Sequence, residues 1–286
     1  MKIFKTYTLP FAFILLLSTT TQAQDKPIKV FRDTRIVNGH SVEMSPKGTM
    51  KFIISHRFGA VNTGAEQLWG LDISRIRIGL DYAPMKKLNI GFGRSSEQKN
   101  YDFFAKYVLL SQNKASTVPV SLSFFTEASL VTSQALTEGL DFLNKLSYTY
   151  QFLIARKLHD RVSLQLMPTL VHRNFVSDQV SDNDLYSLGA AGRFQISKQI
   201  AFNLEYFYVL PDQLGPDLLG NQRQDAVGLG IEIETKGHIF QLNLTNSQDF
   251  VAPFYIGETV GEVGNGDIHF GFNITRDFKV SHRRYK

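Results

Sequence analysis

The chain has 286 residues, 43% of them hydrophobic and 20% charged; its 23 Phe and 11 Tyr stand against one Trp, and its 21 Gly against 9 Pro, a bias toward strand and turn over helix. It contains no cysteine, which excludes disulfides, thiolate metal sites, cysteine nucleophiles and a lipidated-cysteine anchor. The formal charge of +5 at pH 7 sits at the ends, on Lys2, Lys5, Lys279, Arg283, Arg284 and Lys286, so the middle carries no basic stripe for nucleic acid.

Residues 1–23 read as a secretory signal peptide: Lys2 and Lys5, an apolar run from Leu9 to Leu17, polar Ser18 to Gln22, and Ala23 as the small residue before cleavage. The run is too short for a spanning helix, which needs about 20 apolar residues. Residues 24–49 mix Lys, Asp, Arg, Asn, Gly and Pro with scattered apolar positions and are expected to form a periplasmic N-terminal segment.

From residue 50 the pattern turns to period two. In 75–82, Ile76, Ile78, Leu80 and Tyr82 alternate with Arg75, Arg77, Gly79 and Asp81, which no amphipathic helix produces. The alternation recurs around 88–93, 120–127, 146–154, 162–166, 202–208, 227–234, 240–245 and 268–275. Weaker versions occur at 50–57, 101–110 and 185–196. These segments suit tilted membrane-crossing strands better than the short strands of a soluble sheet.

The gaps between them alternate long and short almost throughout, with acidic residues collecting in the long gaps and lysines in the short ones. Short turns on one side, long loops on the other and an even strand number are the marks of an outer-membrane barrel. The expected fold is therefore all-β: a transmembrane antiparallel up-and-down β-barrel of about twelve strands over residues 50–278, followed by a basic tail, 279–286.

On the face opposite the apolar one, Arg75, Arg77, Asp81, Glu127, Arg193, Glu205, Glu232 and Glu234 are candidates to line the lumen. Charges there pair across a barrel or set solute preference. Phe104, Phe125, Leu153 and Phe207 share that face and predict a narrow or plugged passage.

Enzyme motifs are largely missing. Residues 91–96 begin like a dinucleotide loop but lack the third Gly and a following helix. His172, His238 and His269 fall on different strands with no Ser and polar orienter beside them. The acidic stretch 177–184 lacks the spacing of a calcium loop, and the Asn-x-Thr triplets at 243 and 273 lie inside strands. No catalytic residue, metal or cofactor is expected.

Several stretches resemble a known family: Thr34 to Glu43, Ile54 to Gly59, Arg77 to Tyr82 and Tyr101 to Tyr107. They are similar to a domain-of-unknown-function family of outer-membrane β-barrel proteins from Bacteroidota-type bacteria, and the resemblance covers the mature chain. It implies fold and outer-membrane location, and carries no functional residues. The aromatic-rich stretch from Gly266 to Phe278 also resembles the terminal strand read by the outer-membrane assembly machinery, although the aromatic is not last here. The expected partners are outer-membrane lipids, that machinery, and a small solute or a partner protein. The expected function is a narrow porin-like channel; the alternatives are an accessory barrel that holds a partner through its long loops and, behind both, a lipid-modifying barrel.

Overall fold

A computed structural model describes residues 27–176 and 180–280. The expected signal peptide, residues 177–179 of the acidic stretch and residues 281–286 of the basic tail lie outside the described residues.

The alternating segments form β1 (Thr49–Ala60), β2 (Ser74–Met85), β3 (Leu88–Ser95), β4 (Tyr101–Leu110), β5 (Ser121–Leu130) and β6 (Leu146–His159). They continue as β7 (Val162–Arg173), β8 (Asp184–Gln195), β9 (Ile200–Val209), β10 (Ala226–Glu234), β11 (His238–Thr245) and β12 (His269–Lys279). Each pairs antiparallel with its neighbours in the chain, and β1 pairs with β12, closing the sheet into a barrel. At the seam Ile54 stands opposite Ile274 on one side and Ile78 on the other. Closure leaves no open strand edge, which a bilayer demands of a sheet that crosses it.

Side chains obey the pleat. In β1 and β5 every second residue is buried. In β2, Arg77, Asp81 and Ala83 point inward while Ile76, Ile78 and Leu80 are exposed. Phe103, Tyr107, Phe152, Leu166, Leu204 and Ile231 continue the exposed apolar belt around the outside. In water such a belt would drive aggregation; hydrocarbon covers it without cost.

Five turns lie at the end of the barrel where β1 begins and β12 finishes, and six longer connections lie at the other end. We call these the turn end and the loop end. The length alternation has one exception, because the loop-end connection 96–100 is shorter than the turn 111–120. Two short helices interrupt the loops: α1 (Gln134–Thr137) and α2 (Ala252–Gly257).

The described part of residues 24–49 does more than lead into β1: Val30, Phe31, Ile36, Val37 and Val42 are all buried inside the barrel. The scattered apolar residues of this stretch show no period because their partner is a curved wall of twelve strands, not a sheet or helix of their own.

Candidate functional site in the barrel lumen

The lumen is filled from both ends. From the turn end, residues 34–41 enter as a tight hairpin: Ile36 N–H donates to the Gly39 carbonyl at 2.9 Å, and Ser41 N–H to the Thr34 carbonyl at 3.0 Å. At its tip the backbone N–H groups of Val37, Asn38 and Gly39 donate to the Glu205 carboxylate of β9, at 3.3, 3.0 and 2.9 Å. Three convergent amides form an anion-binding nest, here occupied by a side chain of the wall. A Cβ on Gly39 would stand 3.1 Å from both Glu205 Oε2 and Phe207 Cζ, so the tip needs a glycine to come this close.

Other wall side chains meet the hairpin's main chain. Gln165 accepts from Val42 N–H and donates to the His40 carbonyl, both at 2.8 Å. Lys106 Nζ donates to the Ser41 carbonyl at 2.8 Å, and Asn273 Nδ2 to the Val37 carbonyl at 3.0 Å. Lys51 Nζ reaches Asp33 at 2.5 Å, and Arg57 Nη2 donates to Asn38 Oδ1 at 2.9 Å. Each such bond contributes about 0.5–1.5 kcal/mol net, more where one partner is charged.

From the loop end, α2 descends into the barrel with all six residues buried. Pro253 stands in its first turn, Ala252 N–H donates to Glu127 at 3.1 Å, and the Tyr255 ring packs 5.1 Å from Phe207. Hairpin and helix share one apolar core with the wall, in which Ile36 and Val37 meet Phe125, Phe207, Tyr255 and Ile256. His40 sits against Phe104 and Phe125, with ring centroids 4.6 and 4.3 Å away. Between Arg35, Val37, Arg57, Arg77 and Phe250 a small void measures about 10 Å³, the room of a single water.

The eight candidate residues divide into groups. Arg77 forms a two-pronged pair with Asp102, its Nε donating to Oδ1 at 2.9 Å. Asp81 is fully buried beside it, facing Arg35, Arg77 and Lys106, and neither of its oxygens has a hydrogen-bond partner among the described residues. Glu127 holds α2, and Glu205 holds the hairpin. Arg193 donates to Glu232 at 3.1 and 2.9 Å. The last two stand at opposite ends: Arg75 pairs with Glu97 at the loop end, and Glu234 with Arg32 at the turn end. Lys51, Arg57, Asp102 and Lys106 belong to the same polar interior and were missed, although Lys51 and Arg57 share one face of segment 50–57, and Asp102 and Lys106 one face of segment 101–110.

Residues 31–278 match the family described as membrane bound beta barrel domain, DUF5777. The chain belongs to this family. As a DUF5777 barrel it is membrane-bound, in keeping with the apolar belt. No curated protein matches it. Among solved structures it is similar to the NanC porin, with a TM-score of 0.50 at 7% identity over 80% of this chain and 99% of that one. The KdgM porin follows, with a TM-score of 0.47 at 8% identity over 80% and 99%. The outer membrane protein Omp33 of Acinetobacter baumannii gives 0.42 at 6% identity over 81% and 99%. At these identities the likeness is one of fold.

Proposed function

We propose that this DUF5777 barrel resides in the outer membrane as a channel held shut by its own N-terminal segment, and that it passes small polar solutes when residues 27–48 leave the lumen. The observation that carries this reading is the partnership of the wall. Lys106, Gln165, Glu205, Gln241 and Asn273 direct their polar atoms to the main chain of the inserted segment. Without that segment the same groups line a wetted, polar passage, as in barrels that conduct. The fold shared with the NanC porin supports the reading.

Planar-bilayer recording tests it. The mature chain is expected to give no steady conductance, and a variant lacking residues 27–46 to conduct, with α2 keeping the conductance small. If the variant keeps the heat-sensitive gel mobility of a folded barrel and still passes no ions, the channel reading fails. An accessory barrel then stands in its place, for which the exposure of Leu218 and Leu219 on the β9–β10 connection, 73% and 87%, is the supporting observation.

A further inference from the structure

The loop end holds a cavity of about 480 Å³, a size suited to a small organic ligand. Val131, Leu136, Leu140 and Phe254 give it an apolar floor, and Lys145, Arg223, Asp249 and Glu258 a charged wall. A neighbouring cavity of about 340 Å³ shares Asp249, Glu258 and Val260 with it. Asp249 and Glu258 flank α2, so they stand on the two stems of the segment that stops the lumen.

Most charges facing this space are already engaged. Glu97 pairs with Arg75. Asp217 accepts from the amides of Leu219 and Asn221 at 2.9 and 2.8 Å. Gln98 donates to Glu258 at 2.7 Å, and Arg173 to the Asp182 carbonyl. On the side of the smaller cavity, Asp267 accepts from Asn62 at 2.6 Å and the His269 ring meets the Phe58 carbonyl at 3.1 Å.

Two groups stand apart. The Asp249 carboxyl, half-buried on the cavity wall, receives no hydrogen bond among the described residues, and the residue's own N–H donates to Ser247 Oγ at 3.3 Å. Arg223 Nε is buried and without a hydrogen-bond partner among them. A buried donor left unmet costs about 1–3 kcal/mol, and a carboxyl without a donor lines the same open cavity, so the pair call for a ligand that answers both. That ligand carries an ammonium, a carboxylate and an apolar part.

We propose that this vestibule binds a short peptide with free termini and apolar side chains: its ammonium at Asp249 beside Glu258, its carboxylate at Arg223 and Lys145, and its side chains on Leu136, Leu140 and Phe254. Burial, and after it the charge of Glu258, pushes Asp249 up to about 7, against opposing pulls from Arg75 and Arg223. Ammonium capture therefore strengthens as pH rises through that value. Because the ligand touches both stems of α2, its arrival bears directly on the segment that closes the loop end.

Equilibrium dialysis of the detergent-solubilised mature protein against labelled leucyl-leucine tests the site. Saturable binding is expected, weakened about tenfold or more when the peptide is acetylated at its amino end or amidated at its carboxyl end. Asp249→Asn should weaken the free peptide but not the acetylated one, and Arg223→Gln the free peptide but not the amidated one, with both variants keeping heat-sensitive gel mobility. Affinity for the free peptide should rise between about pH 5.5 and about pH 8, and Asp249→Asn should flatten that rise. Absence of saturable binding at millimolar peptide overturns the proposal, as does equal affinity for blocked and free peptides. The dialysis reads the vestibule whether or not the barrel conducts, so a silent bilayer recording leaves the result standing.

Discussion

A carboxylate buried in a barrel wall ordinarily seeks an arginine; Glu205 instead takes three backbone amides from the hairpin tip. Charge-assisted bonds of this kind contribute about 1.5–3 kcal/mol, and an amide at this position would turn an NH2 group toward donors that need an acceptor. Glu205→Gln is therefore expected to loosen the tip, raising the rate at which trypsin cuts after Arg35 in the folded barrel by about tenfold or more. An unchanged rate would show that the nest does not hold the hairpin. Asp249 gives a second expectation at this scale. A carboxyl whose value rises on folding binds its proton more tightly in the folded state, so its contribution is intact near pH 4 and is lost as pH climbs toward about 7. Asp249→Asn should accordingly melt higher than the parent chain at pH 8, by up to about 4 kcal/mol of stability, and match it near pH 4. A gap between the two melting curves that does not widen with pH would remove burial as the cause.

At the scale of elements, the strands were legible and what fills them was not. Ile76, Ile78 and Leu80 alternate with Arg75, Arg77 and Gly79 because one face meets lipid and the other the interior, and that contrast is written in neighbouring residues. The hairpin at 34–41 carries no such mark. Val37 lies against Gly228, where an added Cβ would come within 2.7 Å of its Cγ1, and Asn273 binds the Val37 carbonyl from 236 residues away. A segment whose packing partners are that distant looks like a polar lead-in. For the same reason the wall residues Arg77, Glu127 and Glu205 were visible as inward charges while their partners Asp102, Ala252 and the Val37–Gly39 amides were not. The six-residue α2 is too short to show a helical period. The absence of cysteine makes the hairpin's position easy to check. A Cβ at Gly228 would stand 3.1 Å from Val37 Cβ, close to the separation of about 3.5–4.5 Å that a disulfide spans. The pair Val37→Cys and Gly228→Cys should cross-link on mild oxidation after a shift of a few tenths of an ångström, detected as a band whose mobility a reductant restores. Failure to cross-link in the folded protein would place the hairpin elsewhere.

The whole molecule reconciles two environments that a soluble protein keeps apart. Its outside is as apolar as a core, and its inside holds both an apolar cluster around Phe125 and Phe207 and a charged one around Arg77 and Asp102. Charge also divides along the axis, with Lys86, Lys87, Lys114, Lys198 and Lys236 at the turn end and Glu66, Glu138, Asp212, Asp217 and Glu262 at the loop end. The inserted segment precedes β1 directly, since the Gly48 amide bonds the Ala83 carbonyl of β2 and the Val280 amide bonds the Gly48 carbonyl just past β12. It therefore stands at the seam where the first strand meets the last. A barrel of twelve strands with Lys106, Gln165 and Glu205 turned inward gives them main-chain partners when residues 27–48 occupy its axis. Residues 27–48 thus serve as an internal strut: they brace the closed cylinder across its bore, joining β4, β7, β9, β11 and β12 through one shared segment.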